Sequence, residues 1–258
     1  MRRYFGMAVL LVLFVWTGVT PGLAENVLIF PLVVFTANPC VADCEYWVTF
    51  ASVFNPNTQP ATVTFTTYDS AGNITASSGM VSAGAYQSTT LLPSSVSLRT
   101  GWLQVTSSQP LIGREYLQFY RVSSGLEDLR SRVSLPSSPL TRRYVIMPES
   151  FGPIGISIVF PSADSQSSAR GKLIHRETDG STVFEKDLVI PRNGQLIAYL
   201  RDLIPQASSP PSGPPPEPLQ GSFEIVFDQD FAITVLQFSA SQPLEEPVDA
   251  LAGAVASQ

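Results

Sequence analysis

Hydrophobic and polar residues alternate along much of the chain in short stretches. From Tyr46 to Phe54, Trp47, Thr49, Ala51 and Val53 fall on one side of an extended backbone. Tyr46, Val48, Phe50, Ser52 and Phe54 fall on the other. This period of two defines a strand. Thr62 to Tyr68 repeats the pattern, with Val63, Phe65 and Thr67 on one side. Between these runs stand turn formers: Asn55-Pro56-Asn57-Thr58, Asp69-Ser-Ala-Gly-Asn73 and Thr178-Asp179-Gly180. Glycine and asparagine reach positive φ at little cost, so these segments predict hairpin connections. Lys172 to Glu177 and Thr182 to Ile190 form a further predicted pair. Two more pairs are expected to turn at Ser107-Ser-Gln-Pro110 and Asp228-Gln-Asp230. One segment departs from period two. Leu196, Tyr199, Leu200 and Leu203 are spaced as one helix face requires, which predicts a short helix over 195–203 ended by Pro205.

The order of these signals occurs twice. Leu28-Ile-Phe-Pro31 is answered by Val145-Ile-Met-Pro148, and Val53-Phe-Asn-Pro56 by Ile158-Val-Phe-Pro161. Ala61 to Asn73 lies against Ala169 to Ser181, Gly101 to Val105 against Gly221 to Ile225, and Leu117-Gln-Phe119 against Leu236-Gln-Phe238. A repeated module explains this better than chance. The expected fold is all-β: two tandem antiparallel β-sandwich (Ig-like) repeats, with one short helix in the second. The expected layout is a signal peptide over 1–24, repeat 1 over 25–122, a linker over 123–143, repeat 2 over 144–241 and a loose tail over 242–258. Residues 205–218 hold seven prolines in fourteen positions and read as an extended insertion in the second repeat.

The N-terminus decides the expected compartment. Arg2 and Arg3 precede an apolar run from Met7 to Val19, and Gly22-Leu23-Ala24 supplies small residues for a cut after Ala24. The run is short for a spanning helix, which needs about 20 residues, so cleavage is expected rather than a retained anchor. Position 25 is Glu, not the cysteine a lipoprotein signal would need. Export is therefore expected, to the periplasm, cell surface or beyond, with no membrane span in the mature chain. The formal charge is −6, and loss of Arg2 and Arg3 makes it −8. That balance argues against nucleic acid and anionic membrane surfaces as partners. Charged residues make up only 14% of the chain and apolar ones 44%, which favours a collapsed core over disorder. The two cysteines, Cys40 and Cys44, stand close together; in an exported chain they predict a local disulfide. A metal site would need further soft ligands, and the single histidine, His175, is remote in sequence.

Phe-Pro at the start, NPxxxPATVTFxxYDxxGN in the middle and GWLQVTSSQPLxGxxxLQF at the end together resemble a family of exported bacterial tandem β-sandwich repeats, of the kind found in secreted and cell-surface proteins of acidobacteria and other environmental bacteria. The resemblance covers Leu28 to Arg121 well and Tyr144 to Ala240 more loosely. It implies structural or binding modules with no assigned catalytic residues.

Motifs for chemistry are few. A Ser-His-Asp triad could use only His175, placed on a strand beside Arg176, and no Gly-x-Ser-x-Gly elbow occurs. Asp228 and Asp230 form the best carboxylate pair but lack the other ligands and the glycine of an EF-hand loop. Arg130, Arg132, Arg142 and Arg143 cluster in the expected linker and read as a solvated or interface-paired group. Glu127-Asp128 and Glu245-Glu246 read as solvated charges. No cofactor or metal is expected, and the chain is read as a non-enzyme. The most distinctive surface is the strand from Ile112 to Tyr120. Counting by twos, Arg114, Tyr116, Gln118 and Tyr120 share one face, while Gly113, Glu115, Leu117 and Phe119 share the core face. The alignment gives the second copy Ile233, Val235 and Ser239 in place of Arg114, Tyr116 and Tyr120. Rigid aromatic rings with polar tips suit contacts to protein or sugar. The expectation is therefore an interaction or structural module. Its partner would be a protein or, alternatively, a glycan, and a hydrolase with an unrecognised site is a third possibility. If one copy binds a partner, the first is expected to.

Overall fold

The computed structural model describes residues 25–35, 44–69, 74–91, 99–124, 126–148, 153–161, 167–204 and 219–237. The expected signal peptide, Cys40 with its expected disulfide, the proline-rich insertion and the tail lie outside these residues. What is described is almost entirely strand, in two curled antiparallel sheets. The first contains β1 (Glu25–Phe35), β2 (Cys44–Phe54), β3 (Ala61–Asp69), β4 (Ile74–Val81), β5 (Tyr86–Leu91), β6 (Arg99–Ser123) and β7 (Leu126–Pro136). The second contains β8 (Thr141–Ile146), β9 (Ile154–Val159), β10 (Ser168–Arg176), β11 (Thr182–Pro191), β12 (Gln195–Tyr199) and β13 (Ser222–Gln237).

One long strand organises each module. The first half of β6 pairs with β1 and β3, giving the order β4-β3-β6-β1; its second half pairs with β2 and β7, giving β5-β2-β6-β7. In the second module β13 does the same, with the orders β11-β10-β13-β8 and β12-β9-β13. Each sheet thus curls so that its two ladders share one core. Leu28, Phe30, Val63, Phe65, Leu103 and Val105 from one ladder of module one pack with Ala51 and Val53 from the other. Ile146, Leu173, Phe223 and Ile225 meet Ile156, Ile158, Phe231 and Ile233 in module two. At ~25 cal/mol per Å², burial of this kind is the main stabilising term.

Four sequence expectations are corrected here. Ser107–Pro110 and Asp228–Asp230 are not hairpin turns: both lie inside the continuous strands β6 and β13. They mark the corner where the long strand leaves one pair of neighbours for the other. A proline is tolerated there because, among the described residues, no neighbouring strand pairs with residues 108–110. Its missing N–H therefore leaves no ladder acceptor unserved, while side chains bond the backbone on either side. The Ser108 hydroxyl accepts from Thr62 N at 2.9 Å, and Asn57 Nδ2 donates to Pro110 O at 2.7 Å. The helix over 195–203 is the strand β12 followed by one 3-10 turn, Leu200–Leu203. Leu196 and Ala198 face the core of module two, whereas Ile197 packs against residues of module one. A strand covered on both sides carries apolar residues at both parities, and over five positions that mimics helical spacing. The expected linker, 123–143, is largely strand: β7 pairs along the second half of β6, and β8 begins at Thr141. Finally, the pairings Val53 to Gly113 and Ile158 to Ile233 make Gly113 equivalent to Ile233. Leu236 therefore matches Tyr116, not Leu117, and packs at the module joint with Leu32, Val34 and Ile197. A slip of one residue exchanges the faces of a strand.

The turns repeat more faithfully than the side chains. Asn55 N donates to Ala85 O and Gly84 N to Asn55 O; in module two Phe160 N donates to Gly194 O and Asn193 N to Phe160 O. Gly84 and Asn193 both have positive φ, 66° and 53°. In module one the buried Asn55 side chain also donates to Gln59 O (2.8 Å) and Val81 O (3.0 Å), and accepts from Asn57 N and Nδ2. The Asn-Pro motif is thus a fully bonded polar node holding the β2–β3 connection.

The two modules meet along a packed joint. Ile29 and Trp102 of module one pack with Val159 and Ala232 of module two, and Tyr68 stacks on Trp102 with ring centroids 4.0 Å apart. The Trp102 indole donates to Asn193 O at 3.0 Å. β1 has a register shift between Phe30 and Val33, and Pro31 O, within it, accepts from Ser157 Oγ (2.6 Å) and Gln195 Nε2 (2.8 Å). Gln195 Nε2 also reaches Gly101 O at 2.7 Å. Ser138, just after β7, donates its N–H to Ile29 O, and its hydroxyl donates to Ile233 O and accepts from Ile233 N.

Candidate functional site

The candidate surface is the outer face of β2, β6 and β7 in module one. Arg114, Tyr116, Gln118 and Tyr120 do share this face, because they alternate along the second half of β6. Their β2 neighbours are Ser52, Phe50, Val48 and Tyr46 respectively. β2 thus adds its own row, which the alternation of residues 46–54 had separated from Trp47, Thr49, Ala51 and Val53 and which strand pairing alone sets beside β6.

Much of this face is occupied by its own contacts. Tyr120 stacks on Tyr46 (5.1 Å, 11° between planes) and its hydroxyl donates to Gln118 Oε1 at 2.9 Å. Tyr46 and Val48 are buried, together with Val122. Burial first, and then a hydrogen bond and charge repulsion from Glu127, push the Tyr46 hydroxyl up to about 12. Glu127 is therefore more than a solvated charge. Arg132, from the expected linker, lies over the Tyr116 ring at 4.3 Å, a cation–π contact worth about 0.5–1 kcal/mol where exposed. Arg114 donates to Ser134 Oγ at 3.3 Å. The opposite end of the face is more open: Phe54 is 39% and Tyr86 74% exposed, with Ile112 half-buried between its neighbours. Sequence reading missed Tyr86 and Phe54, which belong to separate strands with no shared motif.

The remaining candidates are spread apart. His175 Nε2 lies 2.8 Å from Gln220 O, and its ring stacks on Phe223 at 4.4 Å. It is half-buried, its ring in contact with Phe223 and Phe184. Asp228 accepts from Arg170 N at 2.9 Å, and Asp230 pairs with Arg142 at 2.9 Å. The two carboxylates are thus committed to different partners. Arg143 and Arg176 both pair with the buried Glu224, and Arg130 pairs with Asp128 at 3.2 Å. Among the described residues no group of three His, Cys, Asp or Glu side chains could hold a metal ion, and no helix is long and apolar enough to cross a membrane.

A second unusual group lies on the core side of the same strand. Glu115 is fully buried, and neither carboxylate oxygen has a hydrogen-bond partner. Ala51 and Leu135 flank it on β2 and β7. Burial pushes its carboxyl well above the usual carboxylate range. No protein-family model, curated protein or solved structure matches this chain.

Proposed function

We propose that this protein is a non-enzymatic, exported protein of two β-sandwich (Ig-like) modules that acts as an interaction or structural unit at the cell envelope or outside the cell. The reading of each curled sheet as a sandwich is supported by the shared core between its two ladders. Export is supported by the N-terminal signal pattern and the close cysteine pair. The observation that carries the interaction reading is the outer face of module one. It sets tyrosine and phenylalanine rings beside arginine and glutamine, at least two of the rings open to solvent. Such residues supply rigid contact area with polar tips and are enriched where proteins bind one another.

The test is chemical cross-linking in the exporting cell followed by mass spectrometry. The wild-type chain is expected to give cross-links from this face, and the Tyr116→Ala/Tyr120→Ala chain to lose them while still folding by circular dichroism. Unchanged cross-links in the double variant would exclude this face. A second reading, a carbohydrate-binding module or adhesin, is favoured by the same rings, since sugars stack on exposed tyrosines. Binding to defined sugars on a glycan array, lost on Tyr86→Ala, would put it first.

A further inference from the structure

The two modules are joined front to back: module one contributes the outer face of its β1–β6–β3 ladder, and module two the outer face of its β12–β9–β13 ladder. Strand register gives each residue of one module its counterpart in the other. Phe30 pairs with Leu103 as Ile146 pairs with Phe223, so Ile29 corresponds to Val145 and Pro31 to Met147, a slip of one residue from the sequence alignment, which set Leu28 against Val145 and Pro31 against Pro148. Likewise Phe54, Ile112 and Tyr86 correspond to Val159, Ala232 and Gln195. The open end of module one's face is thus the counterpart of the surface that module two already covers with module one.

A front-to-back contact is heterologous, and its two halves remain available at the ends of the pair. The free front belongs to module two, where Val145 is 46% and Met147 71% exposed at the positions of the buried Ile29 and Pro31. The free back belongs to module one, where Phe54 and Tyr86 are exposed. Side-chain sizes are exchanged between the two. The internal joint sets large Trp102 against small Ala232 and Val159. At the free surfaces Ser222 stands at the Trp102 position, while Ile112 and Phe54 stand at those of Ala232 and Val159. At that position a bulky front residue meets a small back inside the chain; between chains the small Ser222 would meet the bulkier Ile112 and Phe54. Arg176, at the Tyr68 position, would bring a cation to the aromatic back.

Resting on the interaction reading above, we propose that the partner of this face is a second copy of the same chain, docking head to tail through the Val145–Met147 face of its module two. The assembly would repeat between chains the contact seen within one, growing as a filament or closing as a ring.

The exported chain is examined by sedimentation velocity from about micromolar to millimolar concentration, alone and as two variants. Tyr86→Glu blocks the back and Met147→Glu the front; both sites are exposed, so each variant is expected to keep the wild-type circular dichroism and melting point. The wild type is expected to associate beyond a dimer with rising concentration. Each variant alone is expected to lose that association, and an equimolar mixture to form a one-to-one dimer, because each supplies the face the other lacks. Several results would overturn the proposal: a wild type that stays monomeric throughout, association that survives either substitution, or a mixture that stays monomeric. A dimer blocked by one substitution only would also overturn it, indicating a two-fold contact. A monomeric chain whose Tyr116/Tyr120-dependent cross-links lead to another molecule would overturn self-docking yet leave the interaction reading standing.

Discussion

Replacing Glu115 by methionine, which matches its length without its charge, should stabilise the protein, and increasingly so as pH rises. Glu115 is fully buried with both oxygens unbonded, and its neighbours across the ladder are Ala51 and Leu135. The equivalent position in module two is Val235, which packs against that module's core, so this place in the fold accepts an apolar side chain. Even neutral, an unsatisfied buried polar group costs about 1–3 kcal/mol. A second cost follows from the raised carboxyl pKa. The unfolded chain releases this proton near the ordinary value of 4.5, whereas the folded chain holds it to higher pH. Below 4.5 both states are protonated and nothing is lost; above it, and until the folded group ionises, each pH unit removes about 1.4 kcal/mol. Urea unfolding followed by tryptophan fluorescence should therefore show Glu115→Met more stable by about 1–3 kcal/mol near pH 4.5, with the gap widening on going to pH 7. For a chain of this size each kcal/mol moves the melting temperature by about 2–4 °C. The reasoning is refuted if the variant is less stable at pH 7, or if the gap does not change between the two pH values.

Three further outcomes test the joint and the turns. Trp102→Ala removes a fully buried ring from the module joint and should cost about 3–5 kcal/mol, splitting one calorimetric transition into two; an unchanged single transition would count against a coupled joint. Asn55→Ala strands the buried Val81 carbonyl and takes the acceptor from the Asn57 backbone amide, at about 1–3 kcal/mol for each group left unsatisfied. Asn55→Asp should not rescue it, because an aspartate cannot donate to Val81 O; equal stability of Asp and Asn would contradict this account in denaturant titration. Gly101→Ala would drive its methyl group into the Tyr68 backbone carbonyl and should cost about 1–3 kcal/mol or more. Gly180→Ala, whose methyl group meets nothing, should cost less, through its φ of 87° alone; the reverse order in chemical denaturation would show the close approach to be unimportant.

Local pattern was informative where one face of a strand is buried and the other is not. Thr49, Ala51 and Val53 share one buried face of β2, as their alternation had grouped them, and the hairpin around Asp179-Gly180 formed where turn chemistry stood, with Gly180 N donating to Glu177 O. The pattern misled where a tertiary neighbour covered a second face. β12 looked helical because the other module buries Ile197, and the weak alignment at residues 236–238 slipped by one because Leu236 is apolar for the joint rather than for its own core. Residues 107–110 and 228–230 read as turns because serine, proline and aspartate disfavour a ladder, whereas side-chain hydrogen bonds let a long strand bend through them. Of the candidate face, the sequence held the β6 row Arg114, Tyr116, Gln118 and Tyr120.

By itself, then, the sequence determined an all-β chain, the order of most strands, the doubling of the module and the residues that alternate into each core. These follow from period-two burial and turn chemistry, which act over a few neighbouring residues. The tertiary structure alone decided which strands lie side by side, and so brought Tyr86, Phe54 and Arg132 to the tyrosine row. It also decided that Glu115 would be sealed without a partner, and that one module's outer face would be covered while its counterpart stayed open. Those outcomes depend on contacts between residues far apart in the chain, and no local pattern encodes them.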